Sequence, residues 1–325
     1  MGGEGGDFSM KRKYEKNSDV KVLFLGTPEI AVRPLLGLIQ AGFDVVGVVC
    51  QEDKIVGRSQ KIELSPIKKI ALKAGIPVFQ PHRIRKDFSF AKDLSFDVIV
   101  CMAYGQIVPD EFLSLAPKKA INLHGSLLPS LRGAAPIQRA IMNGEKETGI
   151  TLMEMVSELD AGRMYDKKAV KIEEDDTYTT LSRKLSELAE EIIVNDLLPY
   201  VNDELLGTPQ DQNKATYADK ILPADEHLPL DLSASEAECY IRALADTPGA
   251  YITLRGKKLK LYGAKACEDI EVPFGVLKPT KHALLLGLKK GVLALKEVQF
   301  EGKKRMDALS FMNGAHLLPN GENVE

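Results

Sequence analysis

The stretch VKVLFLGTPEIAVRPLLGLIQAGFDVVGVVC, residues 20–50, decides the fold. Val20–Leu25 is a short apolar run that ends on the turn residues Gly26, Thr27 and Pro28. Glu29–Gln40 carries a helical pattern that stops at Ala41-Gly42, and Val45–Cys50 is a second apolar run. Strand, helix and strand in that order read as a βαβ unit, because parallel strands need a crossover between them. Neither run alternates apolar with polar residues, as expected of strands covered on both faces.

The pattern recurs downstream. Ser65 is a good N-cap for a helix over Pro66–Ala74, with Gly75 as its stop. Predicted strands at Pro77–Phe79, Asp97–Met102, Ala120–Leu123 and Thr148–Met155 are interleaved with helices at Pro109–Leu115 and Ile137–Asn143, and Leu181–Val201 reads as a longer helix. Residues 20–207 are therefore expected to be an α/β domain with an open, doubly wound, mostly parallel, Rossmann-like sheet. Residues 208–225 are polar and carry prolines, which reads as a linker. In 226–325 a helix at Ser235–Ala245 precedes short strands at Ala250–Leu254, Lys257–Tyr262, Ala283–Leu286 and Val292–Phe300. Gly256, Gly287 and Gly291 separate them, the pattern of a small OB-like β-barrel. Residues 1–19, Gly-rich and then charged, are expected to be a disordered extension, in which Met10 could serve as the start in place of Met1.

A length of 325 residues gives room for about two domains. The net charge of -3 means that a polyanionic partner would have to be met by a local basic patch. Cys50, Cys101, Cys239 and Cys267 contain no C-x-x-C pair, which argues against zinc and against a disulfide framework. Cys50 and Cys101 close apolar runs and read as core. No run approaches the roughly 20 apolar residues of a bilayer span, and the N-terminus has no apolar signal segment. A cytoplasmic monomer, with no membrane partner, is expected.

Gly26-Thr27-Pro28 stands where a dinucleotide fingerprint would. Its second and third glycines are absent, and Pro28 and Glu29 would obstruct a pyrophosphate, which argues against a nicotinamide role. The informative segment is Ile121-Asn122-Leu123-His124 with Gly125-Ser126-Leu127-Leu128-Pro129. Functional groups in an open parallel sheet gather beyond the carboxyl ends of strands. Asn122 and His124, two apart on a strand, point to the same face. One offers an amide donor, and the other can gain or lose a proton near neutrality. Pro129 is expected to keep the chain extended. Thirty-six positions after His124 comes Asp160, in Glu158-Leu159-Asp160-Ala161-Gly162, a carboxylate that could orient the imidazole. Spacing alone leaves two readings open, a catalytic group and three satisfied polar side chains.

The strings Ile121 to Pro129 and Arg132-Gly133-Ala134-Ala135-Pro136-Ile137-Gln138 resemble the signature of the folate-dependent formyltransferases. Thr148-Gly149-Ile150-Thr151 and Leu159-Asp160-Ala161-Gly162 match that family's downstream motif. Val22 to Pro28, Ile76 to Pro81, Ala103-Tyr104-Gly105 and Phe300 to Met306 are similar to the branch of the family that acts on charged initiator tRNA. The resemblance spans about Val20 to Gly314. It implies that Asn122, His124 and Asp160 are catalytic and that the formyl donor is 10-formyltetrahydrofolate. It implies further that Ser126, Leu127, Leu128 and Pro129, with Ala103, Tyr104 and Gly105, line the pterin pocket. The acceptor is then the amino group of initiator methionyl-tRNA, and the resemblance calls for no metal.

The polar segment Glu52 to Lys61 is by composition a plain surface loop. In the family the corresponding loop enters the tRNA acceptor end, which would make Arg58 and Lys61 contacts. Here Ile55 and Ser59 stand where the family more often has Pro and Gly, and Ser130 and Leu131 replace a basic and an aromatic residue. From Tyr251 to Arg305 there are 13 Lys and Arg against 5 Asp and Glu, an excess suited to phosphates. Lys257, Lys258, Lys260, Lys303, Lys304 and Arg305 are the candidates for tRNA. A transferase for a small amine such as an amino-sugar nucleotide, a formyl-folate hydrolase and a catalytically silent RNA-binding protein are the rival readings. His82, His227, His282 and His316 have no assigned role.

Overall fold

The structure is a computed structural model that describes residues 12–57 and 59–325. The expectation about Met1 and Met10 and the tRNA role of Arg58 lie outside the described residues. By compactness the chain divides into two units. One comprises Met1–His124, Ile150–Lys168 and Ser186–Gln210, and the other Gly125–Gly149, Ala169–Leu185 and Asp211–Glu325.

In chain order the elements begin with β1 (Lys21–Gly26), α1 (Val32–Gln40), β2 (Asp44–Val49), β3 (Lys54–Val56), β4 (Lys61–Glu63), α2 (Pro66–Lys73) and β5 (Val78–Phe79). They continue with β6 (Val98–Met102), α3 (Asp110–Leu113), β7 (Ile121–His124), α4 (Pro136–Met142), β8 (Glu147–Glu154), β9 (Met164–Lys171) and α5 (Tyr178–Val201). The main sheet runs β5-β2-β1-β6-β7-β8-β9. Its first five strands are parallel, and β8 pairs antiparallel with β7. The chain builds outward from β1 to β5 on one side and from β6 on the other. The switch point between β1 and β6 is where such sheets open a crevice at their carboxyl edge. The core strands are buried because their residues are apolar on both faces, as in Val98–Met102. Gly26 permits the close approach at the switch, since a Cβ there would stand 2.9 Å from the Met102 carbonyl.

Two expectations change here. Residues 12–19 are not a free extension. Tyr14 is buried, its hydroxyl donates to Asp97 at 2.9 Å, and its backbone exchanges hydrogen bonds with Asn202. The polar stretch read as a linker is pinned as well. Thr208 bridges Met164 in the first unit, and Tyr217 bridges Arg132 in the second. A polar segment can be ordered when its backbone is hydrogen-bonded, and composition does not report that.

The second unit adds α6 (Ala234–Leu244), β10 (Ala250–Leu254), β11 (Lys257–Cys267), β12 (Val276–Pro279), β13 (Leu284–Gly287), β14 (Val292–Phe300), β15 (Met306–Asp307), α7 (Ala308–Ala315) and β16 (Glu322–Asn323). Its antiparallel sheet runs β10-β11-β14-β13-β12-β16, with β15 on β14. The sheet curls until its ends meet. Thr253 of β10 exchanges backbone hydrogen bonds with Glu325, just beyond β16. The period-two alternation is clean in β10, where Ala250, Ile252 and Leu254 are buried. Ser233 caps α6 in a capping box with Glu236, and α6 lays Ala237, Ile241 and Leu244 on the apolar interior.

Candidate active site

The switch point is stitched by one hydroxyl. Thr27 Oγ1 donates to the Tyr104 carbonyl at 2.8 Å and accepts the Gln51 N–H at 3.2 Å. The Gly26-Thr27-Pro28 turn thus ties the ends of β1, β2 and β6 together. Its threonine is used to satisfy backbone groups where a dinucleotide site would present free N–H groups.

β7 carries Asn122, partly exposed, and His124, buried at 5%. His124 Nδ1 lies 3.7 Å from Asp160 Oδ2, and the carboxylate is 15% exposed. The three expected residues therefore divide into two on one strand face and one brought to them by a turn. That turn is tightly specified. Asp160 has φ +49°, a conformation that Asp tolerates better than most residues. Gln210, 7% exposed, donates its amide to the carbonyls of both Asp160 (2.7 Å) and Gly162 (2.8 Å). At Gly162 a Cβ would fall 1.9 Å from the Glu154 carbonyl, so only glycine fits. Sequence reasoning missed Gln210, whose backbone acceptors lie 48 and 50 positions away.

The field of Asp160 reaches the neighbouring strand. Burial pushes the Cys101 thiol up to about 12, with the negative charge of Asp160 adding to the effect. Cys101 is therefore a protonated core group and no nucleophile. Tyr104 sits in the hydrophobic cluster with Leu25, Cys101 and Phe112, and its buried hydroxyl has no hydrogen-bond partner. Burial pushes the pKa of that hydroxyl well above the usual phenol value. Its side chain is packed in the core, so any lining at Ala103-Tyr104-Gly105 falls to the backbone and to Ala103 and Gly105. Both of these have positive φ (+52° and +94°), which makes the bend after β6 sharp.

The segment after His124 departs from the extended path expected at Pro129. Leu127 to Leu131 form a turn, closed by Ser126 Oγ donating to the Ser130 carbonyl at 2.6 Å. Ser126 and Leu128 are buried, and Leu127 and Pro129 are half-buried. The turn is anchored on residues 212–218. Leu131 N–H donates to Thr216 Oγ1, and Arg132 N–H to the Thr216 carbonyl. The Arg132 guanidinium, 1% exposed, donates to Gln212 at 2.8 Å. Leu131 has φ +57° and is itself buried, so the position where the family more often has an aromatic is filled by an apolar side chain.

Of the expected tRNA residues, Lys61 is exposed on the β3–β4 ribbon. In the second unit Lys257, Lys258, Lys303 and Lys304 are exposed, and Lys258 Nζ lies 4.3 Å from the Tyr251 ring centre. Lys260 donates to the Pro248 carbonyl. Arg305 is already engaged. It pairs with Glu297 and with Asp246 at 2.8 Å and stacks 3.9 Å over Tyr262. Those partners hold its guanidinium within its own unit. No group of three or more His, Cys, Asp or Glu among the described residues could hold a metal. No helix among them is long and apolar enough to cross a membrane.

The family model described as formyl transferase matches residues 20–197, and the model of the formyl transferase C-terminal domain matches 220–316. The chain is thus a formyl-transferring enzyme. A methionyl-tRNA formyltransferase of Malacoplasma penetrans is 40% identical over 306 residues, covering 94% of this chain and 96% of the relative. One of Dictyoglomus thermophilum is 39% identical over 315 residues, covering 94% and 100%. Among solved structures, the N-formyltransferase of Helicobacter canadensis superposes with a TM-score of 0.65 at 18% identity, covering 86% of this chain and 99% of its own, a likeness of fold. The chain belongs to the methionyl-tRNA formyltransferase family.

Proposed function

We propose that this chain transfers the formyl group of 10-formyltetrahydrofolate to the free amino group of methionine on initiator methionyl-tRNA. The observation that carries the reading is the placement of Asp160 3.7 Å from His124, with Asn122 two residues before it on the same strand face. The neutral amine attacks the formyl carbon, a C–N bond forms, and the carbonyl electrons collect on oxygen. The Asn122 amide and the His124 imidazolium donate hydrogen bonds to that oxyanion, each worth about 3 kcal/mol of barrier. Asp160 orients His124 and stabilises its charge. Collapse of the intermediate breaks the bond to N10 of the folate. The proton lost by the amine passes through Asp160 and water to N10, so that charge balances.

Backbone groups of Ser126 to Pro129 and of Ala103 to Gly105 face the pterin in this reading. Lys61 and the ribbon around it meet the acceptor end of the tRNA, and Lys257, Lys258, Lys303 and Lys304 hold its phosphates without reading bases. The chain acts as a monomer in a bacterial-type cytoplasm. The competing acceptor is a small amine, as in the structurally similar sugar N-formyltransferase WlaRD (TM-score 0.64, 19% identity).

The test is transfer of labelled formyl from 10-formyltetrahydrofolate to methionine-charged initiator tRNA, beside uncharged tRNA, free methionine and an amino-sugar nucleotide. Labelling of the charged tRNA alone is the expected result. Labelling of the sugar alone moves the chain to the competing reading. Release of formate without transfer makes it a hydrolase, and an unconsumed donor sinks the formyl chemistry.

A further inference from the structure

Gln80, from the Ile76 to Pro81 string, has no part in the chemistry proposed above. It lies just past β5 and closes a half-buried knot with Asp53 and Lys68. Lys68 Nζ donates to Asp53 Oδ2 at 2.7 Å and to Gln80 Oε1 at 2.8 Å. The Gln80 amide donates to Asp53 Oδ1 at 2.9 Å and to the Gln51 carbonyl at 3.0 Å. Each of the three side chains therefore touches the other two. Lys68 and Gln80 hold the Asp53 carboxyl below the usual carboxylate range, so it is charged at neutrality.

The knot sits at the root of the β3–β4 ribbon. Asp53 is the last residue before β3, and Lys68 lies in the first turn of α2, which follows β4. Their ion pair thus joins the two legs of the ribbon. Gln80 fixes that junction to the edge of the main sheet. Ser65 Oγ accepts the Lys68 N–H at 3.1 Å, which sets where α2 begins. A lysine in the first turn opposes the helix dipole, which favours anions there. Lys68 is therefore ill placed for α2 itself and well placed to clasp the ribbon.

Beyond this root the ribbon has little restraint. Lys54, Ile55, Lys61, Ile62 and Glu63 are exposed. Among the described residues, no side chain of either ribbon strand makes an ion pair within 4 Å. A short hairpin held at one end swings about that end. Three residues of strand span roughly 10 Å, so a 20° tilt at the root moves the tip by roughly 3 Å. That is enough to lose a hydrogen bond.

We propose that Asp53, Lys68 and Gln80 are positioning residues for the acceptor: they aim the ribbon at the charged tRNA and touch neither substrate. The inference rests on the acceptor reading above. A clasp and a direct contact differ in sign for one variant. If the pair acted on tRNA phosphates through its field, Lys68→Met would weaken tRNA use, and Asp53→Asn, which removes a negative charge, would strengthen it. Either change breaks a clasp, so both should weaken it.

The experiment measures KM for charged tRNA and for the donor in the native chain, Asp53→Asn, Lys68→Met and the double variant. Each single variant is expected to raise the KM for charged tRNA by about fivefold, the upper scale for a half-exposed ion pair. The double variant should also stand about fivefold above the native chain rather than roughly 25-fold, since its second change removes a contact already lost. The donor KM and kcat should stay within about twofold. A lower KM for tRNA in Asp53→Asn overturns the proposal, as does an equal rise in the donor KM. Unchanged values in all three variants overturn it as well. Trypsin cleavage after Lys61, without substrates, reads the ribbon by itself. It is expected to be about fivefold faster in both single variants at an unchanged denaturation midpoint. If no formyl reaches any tRNA, the acceptor reading fails. Faster cleavage then keeps the clasp as the brace of the ribbon, and equal cleavage removes both.

Discussion

Two connecting segments of the first unit are built in opposite ways. The turn that carries Asp160 is held from within. A left-handed backbone at Asp160, a glycine with no room for a Cβ and two hydrogen bonds from the buried Gln210 leave it one conformation. The β3–β4 segment is a two-stranded ribbon of three residue pairs, Lys54 with Glu63, Ile55 with Ile62 and Val56 with Lys61. Ile55 and Ile62 face each other across it at 66% and 63% exposure. An isolated hairpin of this length is marginal in water. The contrast separates two tasks. A group that must meet a developing charge within a fraction of an ångström is over-determined by backbone contacts. In the proposed reading the ribbon, which would meet the tRNA, has little to hold it in place.

The largest expected effect falls on the chemistry itself. His124→Ala and Asn122→Ala should each lower kcat by about 100- to 1,000-fold while folate still binds, as for the loss of an oxyanion donor. Single-turnover rates beside folate titrations decide it, and near-normal rates in both variants would dismantle the site. Next comes the turn. Gly162→Ala drives a methyl group into the Glu154 carbonyl. It should lower kcat by at least about tenfold and cost about 2 kcal/mol of stability, a typical figure for overpacking against backbone. A denaturant midpoint equal to the parent's would show that the turn yields more than its geometry suggests. Gln210→Leu drives nothing into the backbone but leaves two carbonyls unsatisfied, at a similar cost of about 1–3 kcal/mol, and its effect on kcat should be the smaller of the two. Its signature should be a lower kcat with an unchanged KM for charged tRNA. Damage to KM alone would contradict a positioning role.

How much of this was legible in the sequence follows the same division. β6 is an unbroken apolar run and β1 is one from Val22 to Leu25, since strands covered on both faces need nothing else, while β7 interleaves Ile121 and Leu123 with two polar residues. Asn122 and His124 are two apart on such a strand, and their shared face follows from the period of two. The motif also marked Asp160, but what holds Asp160 was hidden. Gln210 acts on backbone carbonyls, which every residue has, so no pattern of residue types points to it. β9 was missed because Lys167, Lys168 and Lys171 break its apolar character, and β16 because Glu322 and Asn323 pair through their backbones. The engagement of Arg305 was hidden for the converse reason. Charge counts register a cation, not the carboxylates that engage it.

The ribbon should respond in the other sense. Lys61→Ala together with Ile55→Ser and Ile62→Ser is expected to raise the KM for charged tRNA by about two- to fivefold, the scale of a few exposed contacts. The donor KM and the denaturation midpoint should not move, because these side chains touch water and each other. A drop in stability like that of Gly162→Ala would erase the distinction between the two segments.

The smallest effect tests the rigid side again, on the strand that leaves the turn. Asp166 of β9 stands beside Asp196 of α5, where burial and the neighbouring carboxylate push Asp196 up to about 7. One Asp196 oxygen is buried with no hydrogen-bond partner. Its ordinary value lies near 4. Between pH 4 and 7 the folded chain therefore holds a proton that the unfolded chain has released. Stability falls where the folded state binds more protons, so this pair stabilises most below pH 4 and loses that contribution as the pH rises through 7. Asp196→Asn removes the titration and keeps the shape. The melting temperature of the parent should decline from pH 5 to pH 8 more steeply than that of the variant. Parallel slopes would mean that the pair opens to water, and that the tight packing around the Asp160 turn does not extend along β9 to α5.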